Sequence, residues 1–590
     1  MPKQEKLPVW DLSALYKSVD DPKIKSDAKK NLVDAQKFVK RYKNQVAKLD
    51  AKQLLAALKL GESILQQTAK LGSFAYLGLT VDSANPKINV LYQQMEDHAT
   101  QVQSSFIFFD LEIMELPAAR LQKFINDPVL KNYKHFLANI AKMKPHHLSE
   151  EEEKIFNDKA MTSSGAFNRL FDQHFASKKF KGQPLEAVTK QMNLPDRKAR
   201  RAAAETFTAG LLEDARMLTL IFNTIIKDKA IGDKWHKFTY PEQARHLSNE
   251  VDQKMVETMT EVISRNYKVV EDFYLFVAKV RELPKLKVYD RYAPIAKTDK
   301  KYSYEQAKQI ILAAFNKFSP EFGRIAKEFF DKNWIHAPVL AGKQGGAYCA
   351  GITPDVHPVI LVNFQGLNES VQTLAHELGH GINDYLMSKQ TLFNYGVPIT
   401  LAETASVFCE MLVFDDLKEK TTNPQEKFAM YIQKIQGIFA TVFRQTAMHK
   451  FEQDIHSLQR QKGELTTEEF KALWIKRQNE MFGKSLDNSG SELWWSYIPH
   501  FLHTPFYVYG YAFGELLVLS LYAQYKQDPK PFVPKYLEFM SAGSSQSPQE
   551  LLRPFGINLS DRKFWEGGIN IIKEMIVEAK LIYSQIKKNR

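Results

Sequence analysis

Cysteine is almost absent. Cys349 and Cys409 are the only two in a chain of 590 residues, too few for a disulfide framework or a cysteine zinc knuckle. No apolar run approaches the ~20 residues that span a bilayer; the longest, such as ELLVLSLYA, are short and carry charge. The opening residues, MPKQEKLPVWDLSALY, contain no apolar h-region and no small-residue cleavage site. These absences set the expectation of a cytoplasmic protein in a reducing compartment, without a membrane partner. Nucleic-acid signatures are missing as well. The formal net charge is +12, but its lysines are scattered along amphipathic segments such as SDAKKNLVDAQKFVKRYKNQ, as on solvated helix faces, and no nucleic-acid partner is expected.

The composition, 44% hydrophobic and 25% charged, is that of an ordinary globular protein. A chain this long exceeds what one core usually serves, so two lobes with a cleft between them are expected. Period-3.6 patterning runs through most of it, for instance over 27–48, 52–71, 86–113 and 197–226, the last with Asp196 as its cap. The fold class expected is therefore mainly α. The prolines at 184 and 195 suggest a boundary, giving an N-terminal helical lobe over 1–190 and a second domain over 191–590. One region breaks the rhythm: GKQGGAYCAGITPDVHPVILVNFQG, residues 342–366, predicts a small sheet with strands around Gly346-Ala347-Tyr348 and at 358–364. Such a hairpin either caps the core or offers an edge to an extended peptide.

Residues 373–384 read TLAHELGHGIND. After Asn368 or Ser370 as cap, a helix is predicted over 368–388, with Val371, Leu374, Leu378, Ile382 and Tyr385 as its core stripe. His376 and His380 are four apart and share one face, about 200° round from that stripe. Two imidazoles so placed can both reach a zinc ion at ~2.0–2.1 Å. Glu377 projects beside the metal, where it can take a proton from the water the metal activates. The metzincin extension is excluded, because it needs Gly at 383 and His at 386, and the residues there are Asn383 and Leu386.

The next predicted helix, 398–416, carries Glu403 and Glu410 among apolar neighbours, seven apart and hence on one face. Carboxylates in such a helix need a cation or hydrogen-bond partners. Glu403 is assigned as third ligand and Glu410 as the acceptor that orients a ligand imidazole. From Asn363 to Asp416 there are seven acids against the single base Lys389, an acidic island suited to a cation. Far downstream, YIPHFLHTPFYVYGYAFGELL (497–517) crowds His500, His503, Tyr507, Tyr509 and Tyr511 together. They are either aromatic core with locally satisfied hydroxyls or donors to an oxyanion.

The strings GAYCAGI, HPVILVNFQGLNESVQTLAHELGHGIND, LAETASVFCE and PHFLHTPFYVYGYAFGELL together resemble oligoendopeptidase F, the bacterial branch of the thimet-oligopeptidase family. PVWDLSALYKSVDDPKI and PDRKARRAAAETF are similar to that branch too, so the resemblance covers nearly the whole chain. It implies two helical lobes about a deep channel, a gluzincin core with a small β-sheet, and one Zn²⁺ per chain. It implies cleavage of internal bonds in short oligopeptides, with His376, His380 and Glu403 as ligands and Glu377 as general base. His500, Tyr507 and Tyr511 would stabilise the tetrahedral intermediate, with His503 and Tyr509 still possible, and Gly346, Ala347 and Tyr348 would line the substrate backbone. Many relatives carry a histidine where this chain has Asn383. A carboxypeptidase or dipeptidyl carboxypeptidase on the same scaffold is the alternative.

Overall fold

The computed structural model describes residues 5–291, 293–295 and 300–588. Helices dominate it. Asp196 caps the helix Arg197–Glu213 by accepting from the Lys198 and Ala199 N–H groups at 3.2 and 3.1 Å. Among the described residues there are five short strands: β1 (Leu286–Lys287), β2 (Ile335–His336), β3 (Tyr348–Ala350), β4 (Val359–Leu361) and β5 (Leu486–Asp487). No helix among the described residues is long and apolar enough to cross a membrane.

The chain forms two compact units, each assembled from three stretches. The first is Met1–Lys144, Lys300–Glu419 and Gln524–Gly556; the second is Pro145–Asp299, Lys420–Ala523 and Ile557–Arg590.

In the first unit, Phe38, Leu54, Leu58, Val102 and Phe109 build a core between the N-terminal helices. A second cluster joins Trp10, Tyr16, Leu71 and Leu77 to Val359 and Leu361 of β4. The sheet has the order β2-β4-β3, with β2 parallel and β3 antiparallel to β4, and Tyr348 stands opposite Leu361. Side chains alternate along a strand, so Ile360 points away from Val359 and Leu361. It meets the helix Asn368–Met387, where a Cβ on Gly381 would lie 3.5 Å from its Cδ1. The sheet is thus a spacer between the N-terminal helices and the histidine-bearing helix. This differs from a single cut near 190: residues 1–144 share a core with the sheet because β4, apolar throughout, needs cover on both faces. The strand β2 was not foreseen, since two residues are too few to show an alternation.

In the second unit, Phe222, Phe470 and Trp495 pack together, with Trp495 stacked on Phe470 at 4.5 Å and edge-on to Phe222 at 4.7 Å. β1 and β5 pair in parallel. The basic opening of the helix Arg197–Glu213 has a structural use here. Arg200 is 1% exposed and donates to Asp290, which is fully buried, and to the carbonyls of Leu194, Pro195 and Tyr289. Burial alone would raise the Asp290 carboxyl. Hydrogen bonds from Arg197, the Lys287 N–H and Arg200 outweigh it and hold the pKa below its ordinary value. Arg200→Met leaves that carboxylate short of a partner and is expected to cost about 3–5 kcal/mol, read as a lower denaturation midpoint; an unchanged midpoint would contradict it. Because the folded pKa is depressed, the Asp290 contribution is complete above the ordinary carboxyl range of about 4 and is lost as pH falls through the folded value.

Candidate metal centre

The histidine-bearing helix runs Asn368–Met387. Its N-cap is Leu367, not Asn368 or Ser370; the Ser370 Oγ instead accepts from the Gln365 N–H, tying down the preceding loop. Val371, Leu374, Leu378 and Ile382 are buried, as the stripe predicts, and Tyr385 is partly so. The rest of the helix is more enclosed than an amphipathic pattern suggests, since Ala375, Glu377, Gly379 and Asn383 are buried too. Asn383 donates to the Met540 carbonyl at 2.7 Å, a tie to the helix Pro529–Ser541.

Gly379 explains how Glu403 comes close to the two histidines. A Cβ there would stand 2.6 Å from the Ser406 Cα and 2.7 Å from the Ala405 carbonyl oxygen. Only glycine lets the next helix come so close. That helix is broken where a continuous one was expected: Ile399–Ala402 ends at Glu403, and Thr404–Lys420 begins after it. Glu403 has φ −84° and ψ 0°, near enough to helical that Glu403 and Glu410 still address the same region.

Three atoms converge there. His376 Nε2 lies 3.2 Å from His380 Nε2 and 3.3 Å from Glu403 Oε2, and His380 Nε2 lies 3.6 Å from the same oxygen. A tetrahedral zinc with ligands at 2.0–2.1 Å separates them by about 3.3–3.4 Å, so the triangle fits that ion. Among the described residues this is the only group of His, Cys, Asp or Glu found with three ligand atoms so close. His376 Nδ1 donates to Glu410 Oε1 at 2.6 Å, which leaves its Nε2 lone pair for a metal. The Ser406 hydroxyl donates to Glu403 Oε2 at 2.8 Å. Burial disfavours charge on both imidazoles. Beside His376 the Glu410 and Glu403 carboxylates outweigh it and raise the pKa, whereas His380, facing His376, is held low.

Glu377 lines the same cleft, about 390 Å³ in volume, with His376, His380, Glu403, Ala347, Tyr348 and Cys349 among its other walls. Burial pushes its carboxyl up to about 7, opposed by His376 and reinforced by Glu403 and Glu410; the Cys349 N–H of β3 donates to it. β3 is an edge of the sheet. Tyr348 is fixed by a 2.6 Å contact between its hydroxyl and that of Thr80. Gly346, at φ +78°, turns the chain into the strand, and the Asn363 amide donates to its carbonyl at 2.9 Å. Ala347 lies between them.

The C-terminal donors belong to the second unit. His500 Nε2 is 3.2 Å from the Tyr511 hydroxyl, and the Tyr507 and Tyr511 rings lie 5.1 Å apart. His503 is engaged elsewhere, 2.9 Å from Asp172 Oδ1. Tyr509 is fully buried and accepts from the Asn249 amide at 2.7 Å, so it serves the core. Sequence reasoning missed what shapes this cluster. Phe506 sits at φ +60°, its N–H donates to the buried Glu452 at 2.7 Å, and its ring packs against His456. It also missed Ser406 and the Cys349 N–H. Neither leaves a local signal, because a hydroxyl or an amide becomes informative only once its partner is known.

A mainly helical chain with a HExxH helix, a following glutamate and a short edge strand has the layout of a metallopeptidase. The sequence model of Peptidase family M3 matches residues 190–571, and that of Oligopeptidase F matches 112–180. The chain is 29% identical over 587 residues to the oligoendopeptidase F homologue of Borreliella burgdorferi, covering 97% of this chain and 98% of that one. It is 27% identical over 600 residues to oligopeptidase PepF of Bacillus subtilis, covering 98% and 88%. In fold it is similar to a Chlamydophila abortus peptidase structure (TM-score 0.85, 23% identity, 97% and 98% covered). It is also similar to oligoendopeptidase F of Enterococcus faecium (TM-score 0.71, 20% identity, 95% and 98% covered). The chain belongs to peptidase family M3 and is a peptide-bond hydrolase.

Proposed function

We propose that the protein is a zinc metalloendopeptidase that hydrolyses internal bonds of short, unstructured oligopeptides in the cytoplasm. The convergence of His376, His380 and Glu403, with Glu377 on the wall of the same cleft, carries this reading. The names of the Borreliella and Bacillus relatives support the oligopeptide substrate class.

Zinc bound by these three residues supplies a Lewis acid that polarises the scissile carbonyl and makes water a nucleophile at a pH of about 7. Glu377 takes the proton of the attacking water and returns it to the leaving amine. Its place in a water-poor wall, steadied by the Cys349 N–H, suits a base that must give the proton back. Glu410 keeps the His376 ring in one tautomer, and Ser406 holds the Glu403 carboxylate in one orientation. The peptide backbone lies along Gly346, Ala347 and Tyr348, adding a strand to the edge of the sheet. His500 and Tyr511, with Tyr507 beside them, donate to the oxyanion of the tetrahedral intermediate.

The test is incubation of the purified protein with unstructured peptides of graded length, with and without 1,10-phenanthroline, and mass spectrometry of the fragments. Internal cuts confined to short peptides and abolished by the chelator are expected. Chelator-sensitive loss of one or two C-terminal residues would replace the reading by a carboxypeptidase. Cleavage indifferent to the chelator would remove the metal from it.

A further inference from the structure

The proposed mechanism gives roles to Glu377, Glu403 and Glu410 but none to a further acid of the same cleft. Asp384 is among the residues that line the cleft, and it is only partly buried. It lies four residues past His380 and eight past His376 on the helix Asn368–Met387, so the three side chains share a face. Four residues of helix rise about 6 Å, the span of roughly two residues of extended chain. The carboxyl therefore stands beside a peptide residue close to the bond that meets the metal.

This carboxyl has little to hold its charge. Among the described residues its one side-chain hydrogen bond comes from the Cys349 thiol, a weak donor, with Sγ 3.8 Å from Oδ2. Oδ1 accepts none and still is not one of the enclosed side-chain atoms without a partner, so it faces solvent. No lysine or arginine is among the residues that line the cleft. Lys389, the single base between Asn363 and Asp416, is exposed and acts on Glu321 instead. Tyr395 brings no charge either, since burial first, then Asp384 and Cys349, push its phenol pKa up. Burial accordingly drives the Asp384 carboxyl up to about 7, opposed only by the Cys349 thiol. A half-enclosed carboxylate without a cation carries a cost that a cationic guest removes. The backbone is shaped around it as well. Gly351 directly follows β3, and a Cβ there would stand 2.5 Å from Asp384 Oδ2 and 2.7 Å from its Cγ. Gly351 is not one of the glycines at positive φ, so the carboxyl, rather than a turn, calls for glycine at that place.

We propose that Asp384 forms a cation subsite of the cleft, which takes a positively charged group of the peptide close to the scissile bond. The inference rests on the peptidase reading for its guest, since a peptide can present either a Lys or Arg side chain or its N-terminal ammonium.

Two sets of probes separate these sources. One is a blocked alanine hexapeptide carrying Lys or norleucine at each position in turn; the other is the alanine hexapeptide with its N-terminus free or acetylated. Binding is titrated by calorimetry into full-length Glu377→Gln, which leaves the peptides uncut, and cleavage of the same peptides is followed with the wild type. In at least one set the cationic member is expected to bind roughly ten- to a hundredfold tighter than its neutral partner. Asp384→Asn in the same background is expected to bring that ratio close to one. A preference confined to one set supports the subsite and names the source of the charge. Equal binding in both sets overturns the proposal. So does a preference that survives Asp384→Asn, which would place the cation at another carboxylate. If that variant melts early, Gly351→Ala displaces the carboxyl by its Cβ, and an unchanged ratio in it overturns the proposal equally. Absence of cleavage by the wild type with the binding preference intact would sink the peptidase reading and leave the subsite standing.

Discussion

Replacing Glu377 by glutamine is expected to cut kcat by about 10²–10⁴-fold while bound zinc stays unchanged. The substitution keeps the size and the hydrogen-bonding oxygen of the side chain, so the Cys349 N–H still has its acceptor. What disappears is the capacity to take a proton. Glu377 is next to a proposed ligand and is not one of the three residues whose atoms converge, His376, His380 and Glu403. Metal content and turnover should therefore separate in this variant. Metal analysis beside single-substrate kinetics reads both quantities. Full activity in Glu377→Gln would end its assignment as base, and loss of zinc would make it part of the ligand set.

The metal helix was legible in the sequence because everything it needs lies within one or two turns: the stripe of Val371, Leu374, Leu378 and Ile382, and two histidines four apart. Glu403 and Glu410 were legible for a second reason, which is the cost of placing carboxylates among apolar side chains. Their seven-residue spacing survived a helix break because Glu403 itself stays close to helical geometry. Features that depend on long-range pairing did not show. The interleaving of the two units is invisible to local periodicity, and a two-residue strand such as Ile335–His336 has no period at all. The cap of the metal helix was misplaced on Asn368 and Ser370 because side-chain preference at a cap is only a tendency; here the loop claims the serine. In the C-terminal stretch, composition could not rank five candidates within a dozen residues. Buried contacts tie Tyr509 to Asn249, and His503 turns to Asp172, while His500 and Tyr511 face each other.

Glu403→Ala should abolish metal binding and, with it, all chelator-sensitive activity. Two imidazoles alone leave the ion with half of a tetrahedral set, and catalytic zinc is held by three protein ligands. No nearby acid can step in without loss. Glu410 is bound to Nδ1 of His376, on the far side of the ring from the Nε2 that faces Glu403, and moving it would free the imidazole it orients. The backbone offers no slack either, because Gly379 and Ser406 are already in close contact. A milder change isolates the carboxylate's orientation: Ser406→Ala removes the hydroxyl that donates to Glu403 Oε2 and should weaken zinc about 10–100-fold without removing a ligand. Metal analysis after dialysis against a competing chelator orders the three proteins as wild type, Ser406→Ala, Glu403→Ala. A stoichiometric zinc in Glu403→Ala would move the third ligand elsewhere, with Glu410 the first to examine, and a wild-type affinity in Ser406→Ala would show that the close helix packing orients Glu403 unaided.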